Sequence, residues 1–267
     1  MKQNAVIQSV LQIFKHRKIL LATVRVELAK RYAGSFLGSL WLILYPVLFL
    51  CIYLFLYLVV FRVKFPGYSS LDYVIYVFSG LVPYLGFMEA VNFGTTCIRQ
   101  NIHLVKNVIL PMELIPARVV ILSLIPQTIG LVMVAILSAI NGNLGITVGW
   151  VLVALIVQIV FQLGLVWVLS GMGGVVPDLG YFINLIVLLL LFISPIAYRP
   201  EMVPGDFRFI VDLNPIYYMT ELYRAGFIST YSVSPLVGVV AIGGSSLVFL
   251  FGAMFFRRFR RVLVDYE

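Results

Sequence analysis

Apolar residues run along this chain in long blocks separated by short polar breaks. No Asp, Glu, Lys or Arg occurs within residues 32–61, 119–177, 179–198 or 225–256. A helix that crosses a bilayer needs about 20 apolar residues and satisfies its own backbone polar groups, so blocks of this length predict membrane spans. Six are predicted, at 36–61, 73–97, 118–140, 147–170, 179–198 and 234–256. Asn141-Gly142-Asn143 divides the longest block, as a tight turn does, and Gly171-Met172-Gly173-Gly174 before Pro177-Asp178 ends the fourth span. The second span is the least regular, because it contains Pro83 and Glu89.

Three segments do not fit a simple crossing. Residues 8–31 alternate basic and apolar positions, which reads as an amphipathic helix lying at the membrane surface. Residues 98–117 form a short amphipathic segment bounded by Pro111 and Pro116. Residues 199–233 mix Pro, acid, Arg and aromatics; they are too polar to span and too apolar for a free loop. A pair of short re-entrant helices is expected there, with ends shielded by protein.

Composition agrees: 62% of residues are hydrophobic, 11% are charged and mean hydropathy is +1.06. That leaves no room for a soluble domain of ordinary size and defines an all-α integral membrane protein with a single transmembrane domain over 1–267. Of the 19 Lys and Arg, fourteen lie in the first 35 residues, around 98–118 or after Phe256, all on one side of the predicted spans. The positive-inside bias then places both termini and the 98–117 segment in the cytoplasm, and the 199–233 segment outside. The net charge of +8 is therefore read as membrane topology, with no nucleic-acid partner.

Catalytic and metal signatures do not appear. Cys51 and Cys97 sit in apolar stretches without zinc or redox spacing, and His16 and His103 stand apart in basic segments. There is no GxxxxGK[ST] loop for nucleotide phosphates, no HExxH and no GxSxG. Glu89 is the one acid well inside a predicted span. A functional role and a helix-packing role are both open for it.

Specific strings carry a resemblance. RYAGSFLGSLW (Arg31 to Trp41) followed by Pro46, GLVPYLGF (Gly80 to Phe87), NIHLVKNVILPMELIPA (Asn101 to Ala117), and PDLGYFINLIVLLLLFISPIAY (Pro177 to Tyr198) with Met202-Val203-Pro204 and LNPIYYMTELYR (Leu213 to Arg224) occur in register over almost the whole chain. Together they resemble the permeases of the type-2 ABC exporter superfamily that move lipid-linked polysaccharide in O-antigen, capsule and teichoic acid pathways. Family members often carry Arg-Asp where this chain has Pro177-Asp178.

The resemblance implies a homodimer of permeases in the bacterial inner membrane, driven by two separate ATPase subunits that bind ATP and Mg, with no cofactor in this chain. It identifies residues 98–117 as the coupling segment. There Ile102, Val105 and Ile109 recur at helical spacing beside Asn101 and Lys106, and an apolar helix side can dock into a partner's groove. Asn101, Ile102, Leu104, Val105, Lys106 and Ile109 are the expected ATPase-coupling residues. It identifies 199–233 as the external hairpin that closes the pore.

Two further residue sets are read against that substrate. Trp41, Tyr45, Phe49, Tyr53 and Tyr57 recur every four residues, a row that spirals slowly along one helix side. Packing, lipid contact or a conduit for sliding glycan, with rings stacking weakly on sugars, are the open readings. Arg25, Lys30 and Arg31, nearest the first span, are candidates for the pyrophosphate of a polyprenyl-linked substrate or for anionic headgroups of membrane lipids. The rival functions are a drug or small-lipid exporter of the same superfamily and a membrane-embedded lipid-linked sugar transferase. The second would need a carboxylate cluster at one membrane face.

Overall fold

A computed structural model describes residues 3–60, 69–102 and 111–265, and helix is the only regular secondary structure among them. The chain begins with α1 (Gln3–Lys15) and α2 (Arg17–Arg31). The single surface helix expected over 8–31 is thus two, broken at His16, whose ψ of 20° leaves the helical range. α1 reaches the bundle through Ile13, and α2 seats Leu20 against Leu114 and Ala117.

A helical stretch from Gly38 to Val60 follows, made of a 3₁₀ turn, α3 (Trp41–Leu54) and a π-helical turn. It matches the first predicted span. Four helices among the described residues are long and apolar enough to cross a membrane. They are α4 (Ser70–Gln100), α5 (Leu114–Ile140), α6 (Gly149–Val175, extended by a 3₁₀ turn from Ile146) and, beyond two more elements, the last helix. Before it come α7 (Leu179–Ile193), α8 (Arg208–Asp212) and α9 (Pro215–Phe227); the last is α10 (Pro235–Asp265).

α4, the span that looked least regular, is the centre of the bundle and is buried along most of its length. Its small and polar residues face other helices, where close approach and hydrogen bonding hold membrane helices together. A Cβ at Gly94 would stand 2.5 Å from Val166, and one at Gly86 would overlap the Gln127 amide. Pro83 sits inside the helix, and its carbonyl accepts a hydrogen bond from Gln158 Nε2 at 2.9 Å.

The start of α4 is fixed by a capping box between Ser69 and Asp72. Asp72 also accepts from Asn141 Nδ2 at 2.6 Å and Asn143 Nδ2 at 2.7 Å, which ties the α5–α6 turn to α4. Gly142 between them has φ of +71°, a conformation that favours glycine.

The Gly171 to Gly174 run does not end α6, which continues to Val175. These glycines are contact points: Gly173 lies on the Thr95 carbonyl, and Gly171 faces Phe255 and Phe259. α6 makes its most extensive contact with α10, where Gly164 meets the backbone of Val248 and Phe249.

α7 is shorter than the predicted 179–198. It leaves the helix at Ser194, ahead of Pro195, and irregular backbone follows. Of the two helices expected in 199–233, α8 is one short turn, while α9 is buried against α4 and α6 over Ile216 to Phe227. Arg224 of α9 is fully buried and pairs with Glu221 at 2.9 Å. Glu221 in turn accepts from Tyr231 Oη at 2.8–2.9 Å, and burial raises the Tyr231 hydroxyl well above its ordinary pKa, so it stays a donor.

Candidate functional site

α3 and α7 are the peripheral apolar helices; Leu50 and Val187 are the buried side chains described on them. α3 leans on α5 and leaves a groove of about 480 Å³ between itself, α4 and α5. That volume is in the range of small-molecule sites. Trp41, Leu42, Tyr45, Pro46 and Phe49 form one wall, Phe78, Val82, Leu85 and Met88 the second, and Pro126, Gly130, Met133 and Val134 the third.

Polar groups gather at the end nearest α2, where Arg31, Tyr32, Glu89 and Asn92 line the mouth. Arg31 Nη1 donates to Glu89 Oε1, with the two side chains 30% and 20% exposed. The Arg31 guanidinium also lies 5.2 Å from the Phe93 ring centroid, within cation–π range. Deeper in, Gln127 is committed elsewhere. Its Nε2 donates to Gln158 Oε1 at 2.8 Å, Gln158 Nε2 returns a bond to Gln127 Oε1 at 3.0 Å, and Tyr223 Oη donates to Gln158 Oε1 at 2.6 Å. The rest of the groove is apolar.

The structure divides the aromatic row. Trp41, Tyr45 and Phe49 line the groove, and Tyr45 and Phe49 stack with centroids 6.2 Å apart. Tyr45 remains 59% exposed, so its ring borders the groove without closing it. Tyr53 continues the stack but turns its edge to Phe78 at 5.8 Å and packs into the core. The side chain of Tyr57 lies outside the described residues.

Among the three cations, Arg31 reaches the groove, while Arg25 and Lys30 are exposed away from its lining. Asn101 ends α4: its Nδ2 donates to the Cys97 carbonyl at 2.8 Å and its Oδ1 accepts from Arg118 Nη2 at 2.9 Å. Ile102 is half-buried. Leu104, Val105, Lys106 and Ile109 lie outside the described residues.

Sequence reading missed Gln127 and Arg118 and left the role of Glu89 open. Glu89 is the partner of Arg31, which only the packing of α2 against α4 could reveal. Gln127 lies on a groove wall within an uncharged, mostly apolar run. Arg118 joins three elements, since besides Asn101 it lies 3.8 Å from Glu27 of α2.

Residues 19–228 match the profile of the family described as ABC-2 type transporter. The chain is 28% identical over 253 residues to the O-antigen export system permease protein RfbA of Myxococcus xanthus, an alignment covering 92% of this chain and 94% of that protein. Two proteins of the same name from Klebsiella pneumoniae are each 26% identical. One alignment covers 89% of this chain and 90% of the relative, the other 77% and 78%.

Proposed function

The chain belongs to the ABC-2 type transporter family, and on that premise we propose that it is the membrane subunit of an ATP-driven exporter of lipid-linked polysaccharide. The observation that carries this reading is the groove, which joins a cation at its mouth to a ladder of aromatic rings. The names of the three relatives, matched over most of their length, support the same substrate.

The basic end of the bundle is the cytoplasmic end in this reading, with both termini there and the protein in the bacterial inner membrane. Two copies form the pore and two separate ATPase subunits drive it. The 98–117 segment is the surface they push on: Arg118 ties Asn101, the residue that follows α4, to α5. The 199–233 region, with α9, closes the outer end. Substrate enters at Arg31, and the 59% exposed ring of Tyr45, at the rim of the groove, borders the sliding glycan outside it. The apolar walls of the groove keep a small-lipid exporter as the second reading.

Mass spectrometry of polyprenyl-linked glycans from cells depleted of the protein tests the proposal. A long lipid-linked polymer accumulating on the cytoplasmic side is the expected result. Intact surface glycans with no accumulation would favour the small-lipid reading. Replacing Val105 and Ile109 by Asp tests the coupling surface: export should stop while the membrane part stays folded.

A further inference from the structure

We infer that the α3–α4–α5 groove holds the hydrocarbon tail of the lipid carrier, and that its diphosphate takes Arg31 away from Glu89. The inference rests on the export reading and assigns a part of the substrate to this groove.

The shape of the site argues for an amphiphile. Charged and amide groups lie at the mouth, and the walls beyond Glu89 and Asn92 are aliphatic or aromatic apart from Gln127, whose amide is held by Gln158. From Glu89 to Phe78 along α4 the groove runs about 16 Å at the helical rise. That is about half of a hydrocarbon core roughly 30 Å thick. A lipid with its head at the basic end of the bundle places its tail along this path. A sugar polymer placed there would leave its hydroxyls against Leu85, Met88, Pro126 and Met133 without partners.

The mouth argues for exchange. Arg31 gives Glu89 one Nη, and its other N–H groups have no protein acceptor among the described residues. A guanidinium carries five donors, in a fork that suits phosphate oxygens. The pair with Glu89 is half-buried, where desolvation offsets much of the attraction. A diphosphate offers more charge and more acceptors than one carboxylate, and the Phe93 ring steadies the guanidinium during the change. Glu89 therefore acts as an internal competitor that keeps the mouth neutral until a lipid diphosphate arrives.

The test measures binding of radiolabelled farnesyl diphosphate to the full-length chain in phosphatidylcholine nanodiscs. Glu89→Gln should tighten binding about tenfold and Arg31→Gln should weaken it by about tenfold or more, magnitudes set by one charge-assisted hydrogen bond. In the double variant the gain from Glu89→Gln should vanish. Leu85→Trp, which fills the groove, should weaken farnesyl diphosphate and leave inorganic pyrophosphate unchanged. If Glu89→Gln weakens binding as Arg31→Gln does, the pair is a structural clasp and the inference fails. It also fails if pyrophosphate alone competes as well as farnesyl diphosphate, or if phosphatidylglycerol does, because the site then reads any anionic headgroup. Glycan export measured in the same variants separates the two claims. Export unaffected by Arg31→Gln and Glu89→Gln overturns the inference and leaves the exporter reading standing. Binding that responds as stated, in a protein whose loss leaves surface glycan intact, overturns the exporter reading alone.

Discussion

Arg224 donates to the carbonyl of Pro195 at 2.6 Å, and the same Nη2 reaches the carbonyl of Ile196 at 3.0 Å. Tyr73 and Tyr76 of α4 donate to the next two carbonyls, those of Ala197 and Tyr198, at 3.2 and 3.3 Å. Four consecutive backbone acceptors, released where Pro195 follows the end of α7, are thereby satisfied by side chains. Irregular backbone at membrane depth requires this kind of shielding. The guanidinium also lies 3.7 Å from the Tyr76 ring centroid, so one cation joins α4, α9 and the unwound segment.

Arg224→Met should therefore destabilise the protein by about 3–5 kcal/mol, because it leaves Glu221 buried without its cation. Thermal unfolding in detergent reads the loss. Arg224→Met with Glu221→Gln should recover part of it, since no uncompensated charge remains. Arg224→Lys should recover little, because an ammonium lacks the fork that reaches two carbonyls and a carboxylate together.

The α6–α10 crossing depends on the absence of side chains. A Cβ at Gly164 would stand 2.5 Å from Phe249 Cα, and one at Gly252 would overlap the Gly164 carbonyl. Gly164→Val and Gly252→Val should separate the helices and lower the unfolding temperature sharply. Gly238→Ala, with nothing within 4 Å of the new Cβ, should be neutral or stabilising by up to about 1 kcal/mol, as helix propensity predicts. Parallel melting curves decide whether contact or composition sets the difference.

The spans were legible because lipid demands long uncharged runs, and no soluble packing imitates residues 119–177. What hydropathy could not convey was which side chains face inward. Pro83, Ser79 and Gly86 lower the apolar character of α4, yet they mark the helix surrounded by other helices. The Gly171 to Gly174 run carries the composition of a break and serves as a contact surface, because glycine permits both. The row at Trp41, Tyr45 and Phe49 was visible as a period of four. Its division at Tyr53 depends on Phe78, a residue far away in sequence. Arg31 and Glu89 were each conspicuous, and their pairing follows from the way α2 approaches α4, which no local pattern encodes.

That division of the aromatic row separates two roles experimentally. Tyr45→Ala with Phe49→Ala removes rings that border the groove, so export should fall while assembly and melting temperature hold. Tyr53→Ala removes a ring packed edge-on against Phe78. It should lower stability by about 3 kcal/mol or more, the range for deleting a packed aromatic side chain. Export assays and melting curves on both variants check the split; equal stability losses would mean that the whole row is packing.

If residues 98–117 couple to the ATPase as proposed, Arg118 is placed to transmit their movement to α2. It is buried at the start of α5, holds Asn101 at the end of α4 and faces Glu27 across 3.8 Å. α2 ends at Arg31, on the mouth of the groove. Arg118→Gln keeps a donor for Asn101 but removes the charge opposite Glu27. Hydrogen exchange in residues 17–31 should then accelerate, while ATP hydrolysis by the assembled transporter should continue and lose its stimulation by lipid-linked substrate. Exchanging the charges, with Arg118→Glu and Glu27→Arg together, should restore part of the stimulation, since the pair contributes an interaction of about 0.5–3 kcal/mol when neighbours couple. Unchanged exchange rates in α2 would show that this contact only holds α4 to α5.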